Sequence, residues 1–285
     1  MNWEQTVKFI RSKPEYEDLV EKAYFEEDLP LNVERFKRSA EFAETIKLIR
    51  QYAPNANTIL DIGSGNGISA IAFALEGYNV IVSEPDPSIT IGAGAIKKLA
   101  IHYNLDNVKV YENCAEEIGF PADHFDIVYV RQAMHHAYDL NKFIKNLALV
   151  LKKGGTLFTI RDHVIYDESD KERFLKDHPL HKYYGGENAF TSSEYRAAFA
   201  AAGLAMKAEL KFYDSLINYF PFTPMQIQEQ KREKVNRLKS IFYNKLGLLS
   251  KLPGLFAIYK IRNKAALVLN EKDVAGRMYS YILQK

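Results

Sequence analysis

Apolar positions change their period along this chain. Over residues 1–50 they recur at helical spacing among charges: Phe9-Ile10, Leu19-Val20, Tyr24-Phe25, then Phe42, Ile46 and Leu48-Ile49. Pro14 and Pro30 interrupt the run, which predicts two or three packed helices. From residue 57 short apolar runs alternate with helix-like stretches. The predicted strands are 58–62, 79–83, 108–111, 125–130, 155–161 and 205–213, and the predicted helices 67–76, 88–103, 140–151 and 191–202. Such alternation implies a parallel sheet with helices on both faces. Thr191-Ser192-Ser193-Glu194 reads as a helix start with a capping acid. Residues 164–190 follow neither period. They hold Pro179, Gly185-Gly186 and several rings, and read as a long functional loop with some helix.

After Phe220-Pro221 the pattern becomes amphipathic, through Ile227, Leu238, Ile241-Phe242, Leu246, Leu248-Leu249 and Leu252. Residues 221–268 carry ten lysines and arginines against two acids, a local charge of +8, so the remainder of a chain of net +2 carries −6. The alternating run Gly276-Arg277-Met278-Tyr279-Ser280-Tyr281-Ile282-Leu283 predicts a last strand that pairs with 205–213 as a hairpin partner. The basic block is then an insertion between two paired strands. Three parts follow: a helical cap over 1–52, a main domain over 53–220 and 269–285, and the insertion over 221–268. The fold class is α/β: a Rossmann-like, doubly wound, mostly parallel seven-stranded sheet with an antiparallel last strand.

Composition adds limits. With 285 residues, 47% of them hydrophobic, the chain can bury a large core without disulfides. Its one cysteine, Cys114, excludes an intramolecular disulfide and fits a reducing, cytoplasmic compartment. The opening Met1-Asn2-Trp3-Glu4-Gln5 lacks a basic head before an apolar run, so no signal peptide is expected. Nothing in the sequence specifies an oligomeric state.

The most informative stretch is Ile59-Leu60-Asp61-Ile62-Gly63-Ser64-Gly65-Asn66-Gly67-Ile68. A buried strand, a glycine turn and a helix start lead to a second strand that ends in Glu84, the plan of a nucleotide site. A dinucleotide fingerprint would place its third glycine at 68, which is Ile68. Asp61 would also repel a pyrophosphate. An acid there suits a ligand with an ammonium group and no phosphate, such as S-adenosylmethionine.

With these features the chain resembles the class I S-adenosylmethionine-dependent methyltransferases. The resemblance covers about residues 55–165 and the last strand. It rests on Leu60-Asp61-Ile62-Gly63-Ser64-Gly65-Asn66-Gly67, on Glu84, on Phe125-Asp126-Ile127-Val128 and on Leu151-Lys152-Lys153-Gly154-Gly155-Thr156-Leu157, in that order. It implies S-adenosylmethionine as cofactor, with the methionine end on Gly63, Ser64, Gly65 and Gly67 near Asp61, and the ribose hydroxyls on Glu84. It implies that Pro85, Cys114, Ala115 and Glu116 border the adenine, and it adds Arg131 to the cofactor site. One departure stands out. The family often has an Asp before Ala-Glu after the third strand, where this chain has Cys114, a poor acceptor.

Methyl transfer from a sulfonium is an in-line displacement that depends mainly on positioning. An oxygen nucleophile also gains from a base. Five of the seven histidines lie between 135 and 181. In Asp162-His163 the fifth strand delivers an imidazole to the substrate side, and imidazole titrates near neutrality, so His163 is the first candidate base and His135 the second. His178 to Glu187 reads as a substrate loop. No metal is expected, because the histidines lack His-x-x-x-His spacing and no carboxylate cluster is visible. The expected partner is a small molecule. Nucleic acid is not expected, since the rest of the chain is acidic and no base-reading module is seen. The insertion 221–268 is a candidate membrane-surface contact or a lid over an anionic substrate. These readings converge on O-methylation of a small polar molecule, such as a surface-glycan sugar or a secondary metabolite. C-methylation of a quinone-like lipid, or cofactor binding without catalysis, are the alternatives.

Overall fold

Local chemistry starts most of the helices. In the computed structural model, which describes residues 1–178 and 180–285, four helices precede the sheet, not two or three: α1 (Trp3–Arg11), α2 (Glu17–Lys22), α3 (Leu29–Lys37) and α4 (Ala40–Tyr52). Asn2 and Gln5 form a reciprocal capping box at α1, and Asp28 and Ser39 cap α3 and α4. Pro30 does not break a helix. It sits in the first turn of α3, where the missing N–H would have had no partner.

The strands are β1 (Thr58–Ile62), β2 (Asn79–Ser83), β3 (Val108–Tyr111), β4 (Phe125–Arg131), β5 (Leu151–Ile165), β6 (Phe190–Thr191), β7 (Ala205–Leu210) and β8 (Met278–Gln284). Between and after them come α5 (Ile68–Leu75), α6 (Ala93–His102), α7 (Leu140–Val150), α8 (Glu168–Asp177), α9 (Ser192–Ala201), α10 (Leu216–Tyr219), α11 (Pro224–Leu246) and α12 (Leu255–Arg262). The sheet runs β3-β2-β1-β4-β5-β8-β7, with the two-residue β6 attached alongside the end of β5, so it has eight strands where seven were expected. β1 to β5 are parallel, and β8 runs antiparallel to both β5 and β7. The order reverses between β1 and β4, and in an open α/β sheet that switch point is where ligands bind.

Both faces of the sheet are covered, as its near-continuous apolar strands require. Ile59, Ile127, Tyr129, Phe158 and Ile160 pack with Phe36, Phe42, Ile71 and Phe73 of α3, α4 and α5. Their neighbours Leu60, Val128, Val130 and Leu157 point the other way, onto Phe143, Ile144 and Leu147 of α7 and Tyr195 and Phe199 of α9. The cap is therefore part of the core.

β5 extends four residues past its predicted end. The register against β8 shifts between Thr159 and Asp162, with Arg161 in a left-handed conformation at φ +60°, which marks a bulge. The bulge re-aims the strand so that Asp162 and His163 lie within it and are buried. β7 is shorter than predicted, and a 3₁₀ turn over Phe212–Asp214 follows it.

The insertion is helical, built on α11 and α12. Its own small core is the Phe242 ring against Phe256 and Tyr259, at 5.3 and 5.1 Å between centroids. It leaves Leu248 83% and Ile261 72% exposed. Among the described residues no helix is long and apolar enough to cross a membrane.

Candidate active site

The turn after β1 needs its glycines. Gly63 has φ +64°, and a Cβ there would lie 2.7 Å from the Cβ of Ala133. Gly67 has φ +83°, and a Cβ would lie 2.7 Å from Ile96. The turn is also held from outside: Asn66 Nδ2 donates to the carbonyl of Tyr24 in the cap at 2.6 Å.

Two buried acids flank it. Asp61 Oδ2 accepts from Ser64 Oγ at 2.8 Å and Ser69 Oγ at 2.6 Å, while its Oδ1 is buried with no hydrogen-bond partner. Burial raises its pKa to about 6, against the two serines. Glu84, at the end of β2, accepts from the N–H of Gly65 at 2.7 Å and of Asp86 at 3.0 Å. Burial lifts it to about 7, against those backbone bonds. A carboxylate has room for further donors. A 690 Å³ cleft lies beside it, lined by Gly63, Gly65, Glu84, Pro85, Cys114, Ala115 and Glu116. Glu116 also accepts from the N–H of Tyr138 at 3.3 Å.

These residues fit S-adenosylmethionine. Asp61 stands behind the turn, held through Ser64 and Ser69, and its unpaired oxygen keeps a negative field there that suits a cationic ligand. Glu84 can accept two ribose hydroxyls. The wall at Cys114 is small and apolar, so it leaves room for a ring without reading its amino group.

A second cavity, also 690 Å³, opens on the other side of the turn and shares Gly63, Gly65, Gln132, His136 and Trp3 with the first. The ends of β4 and β5, the cap and the 178–187 segment enclose it; Pro179 of that segment lies outside the described residues. Cap and segment are stitched together. Tyr16 and Tyr183 share a hydroxyl hydrogen bond of 2.9 Å, and the ring of Trp3 lies 5.3 Å from that of Tyr184.

Arg131 lines this cavity, but its guanidinium is taken by Glu41 of α4. Nε and Nη2 donate to the two carboxylate oxygens at 2.6 and 3.1 Å, and Arg161 lies 3.9 Å from the same acid. The bidentate pair to a buried carboxylate engages Nε and Nη2 and fixes the side chain in the cavity wall. Nothing in the helical spacing around Glu41 announced it.

The histidines converge as well. His135 Nδ1 is 3.1 Å from Asp162 Oδ1, which also accepts the N–H groups of Met134 and His135. His135 Nε2 is 3.0 Å from Glu187 Oε2. Burial opposes its charge, yet the two carboxylates prevail and raise its pKa to about 9. His136 stacks on it at 4.2 Å, and its Nδ1 faces the Gly186 carbonyl at 3.1 Å. His163 Nδ1 meets the Gly276 carbonyl at 2.6 Å, and its ring lies against Phe174 at 4.5 Å. Burial, then the neighbouring His135 and His178, hold it well below the ordinary histidine range. Burial likewise takes His178 to about 4. Neither imidazole is thus held near neutrality: burial and two neighbouring histidines push His163 down, and two acids push His135 up. Glu187, the centre of the cluster, appeared in the sequence only as the end of the polar loop.

Comparison with known proteins gives the family. A family described as "Methyltransferase domain" matches residues 34–209. The uncharacterized methyltransferase YcgJ of Bacillus subtilis is 30% identical over 171 residues, 56% of this chain and 63% of that protein. The ubiquinone/menaquinone biosynthesis C-methyltransferase UbiE of Rickettsia massiliae is 33% identical over 48% of this chain and 54% of that protein. The match thus spans between half and two thirds of these relatives. The crystal structure of YcgJ shares the fold at a TM-score of 0.52 and 21% identity, over 85% of this chain and 97% of that one. A protein of Galdieria sulphuraria described as a "putative sarcosine dimethylglycine methyltransferase" does so at 0.56 and 18%, over 92% and 91%. The chain belongs to the methyltransferase-domain family, within the class I methyltransferases that use S-adenosylmethionine.

Proposed function

We propose that the protein transfers the methyl group of S-adenosylmethionine to an oxygen of a small polar molecule, such as a sugar or a secondary metabolite. The observation that carries this is the second cavity. It adjoins the cofactor cleft through Gly63, Gly65 and His136, and Gln132, His135, His163, His178 and Glu187 bring polar groups into a wall otherwise built of apolar side chains such as Phe25, Phe174, Leu180 and Phe220. The cofactor supplies an electrophilic methyl on a good leaving group. The chain's residues then hold the acceptor oxygen in line and keep water out, which is worth about 7–11 kcal/mol in well-oriented systems. Neutral His163 offers Nε2 as a hydrogen-bond acceptor that orients the hydroxyl; as the O–CH3 bond forms and the S–CH3 bond breaks, the hydroxyl proton passes through that hydrogen bond to solvent.

The test is turnover with methyl-labelled S-adenosylmethionine against a panel of sugars, phenols, hydroxy acids and short-chain quinols. Label in an O-methyl product and stoichiometric S-adenosylhomocysteine support the reading. Label on carbon, or tight cofactor binding with no transfer to any member, overturns it.

A second reading is C-methylation of a quinone-like lipid at a membrane surface. Two observations favour it: the relatedness to the UbiE C-methyltransferase, and the basic insertion with exposed Leu248, Leu249, Leu252 and Ile261. Apolar side chains amid positive charge suit an anionic bilayer surface. Binding to vesicles containing anionic lipid, lost in the double variant Leu248→Asp, Leu249→Asp, would select this reading.

A further inference from the structure

The centre of the histidine cluster is more ordered than hydrogen bonding explains. One ligand-type atom each from His135, His136 and Glu187 lie within 4.8 Å of one another. His135 Nε2 and Glu187 Oε2 are 3.0 Å apart as a buried ion pair, and no donor is well aligned with that oxygen. Two donor atoms bound to one ion at about 2.0–2.2 Å lie near 3 Å from each other. In the metal-free protein this spacing is that of an ion pair, and a metal that displaces the Nε2 proton would meet two lone pairs at a shared point.

The support around them is of the kind metal ligands need. Asp162 Oδ1 faces His135 Nδ1 at 3.1 Å, which keeps a proton on Nδ1 and leaves Nε2 as the nitrogen that would give up its proton to a metal. The segment carrying Glu187 is strapped to the turn carrying the histidines: the N–H groups of Asn188 and Ala189 donate to the His135 carbonyl at 3.2 Å, and Asn188 Nδ2 donates to the carbonyls of His136 and Ala137 at 3.3 and 3.1 Å. The distant stretches 135–137 and 187–189 are thus held in register by main chain, before any ligand arrives.

We propose that His135, His136 and Glu187 form a site for one divalent first-row transition-metal ion, of the zinc or iron(II) kind, with its open positions toward the acceptor cavity. Two imidazoles and a carboxylate favour such an ion over magnesium or calcium. The side chain of His136 is 40% exposed, so the site has an entry side. The ion's role, binding an acceptor oxygen as a Lewis acid, rests on the methyl-transfer reading above; its binding does not.

The test uses full-length protein stripped with chelator and titrated with Zn²⁺ by calorimetry, with elemental analysis after dialysis, and with Co²⁺ followed by visible absorption. One Zn²⁺ per chain is expected, weakened about tenfold or more in His136→Ala and in Glu187→Gln. Both positions lie beside the cavity, and circular dichroism melting of each variant checks its fold. S-adenosylhomocysteine affinity of Glu187→Gln is measured alongside, so that a lost metal site is separated from a lost cofactor site. No saturable binding to the wild type, or equal binding in both folded variants, overturns the site. Saturable Zn²⁺ binding with no methyl transfer to any acceptor would leave the site standing and remove the enzymatic role.

Discussion

Asp61 and Glu84 share a degree of burial but differ in their partners. Asp61 is buttressed by two serine hydroxyls, and Glu84 by two main-chain N–H groups beside an open cleft. Glu84→Ala is expected to weaken S-adenosylmethionine binding at least tenfold, about 1.4–3 kcal/mol, by calorimetry. The sign of the pH effect follows from burial. Glu84, raised to about 7 in the free protein, is partly protonated near neutrality. Ribose hydroxyls donate to the charged form and lower its pKa in the complex, so binding releases protons and tightens as pH rises from 6 to 8. Calorimetry in buffers of different ionisation heat should detect that release; proton uptake, or none, would contradict it. His163→Ala is expected to slow turnover on an accepted substrate with S-adenosylhomocysteine affinity unchanged. Wild-type turnover would remove His163 from the reaction.

At the scale of elements, the bulge in β5 separates what the pattern showed from what it hid. Strands with apolar residues on both faces were readable almost to the residue, because two covered faces demand uninterrupted hydrophobicity. Arg161-Asp162-His163 broke that rule, and the predicted strand ended there. It continues because each of the three side chains finds internal partners, although Arg161 Nε and Asp162 Oδ2 are buried without one: Arg161 donates to the carbonyls of Ile217 and Phe220, Asp162 accepts two backbone N–H groups, and His163 meets Gly276. Such partners lie far along the chain and leave no local trace. Arg161→Met should therefore cost about 2–4 kcal/mol in chemical denaturation, by stranding buried carbonyls, although the replacement is apolar. Phe73→Ala, which empties a position packed on Tyr129 at 4.8 Å, should cost about 3–5 kcal/mol in the same assay.

Across the whole molecule, the cofactor half of the site was readable from the sequence, since it is built from one contiguous turn and the ends of successive strands. The acceptor half was not. Glu41, Glu187 and the pairing of His135 with Asp162 depend on contacts between segments 27 to 90 positions apart. The cap closes over both halves and is tied to the 180–187 segment, so cofactor binding should slow amide exchange in residues 3–25 and 180–187 together. Protection confined to the glycine turn would show that the cap is static cover. The insertion obeys a different geometry. The chain leaves the sheet after β7 and re-enters on β8, and Leu210 is the direct ladder partner of Ser280. A segment whose two ends are fixed side by side imposes little on the architecture that carries it. Such a segment can be shortened, exchanged or rebuilt while the seat of the methyl donor stays as it is.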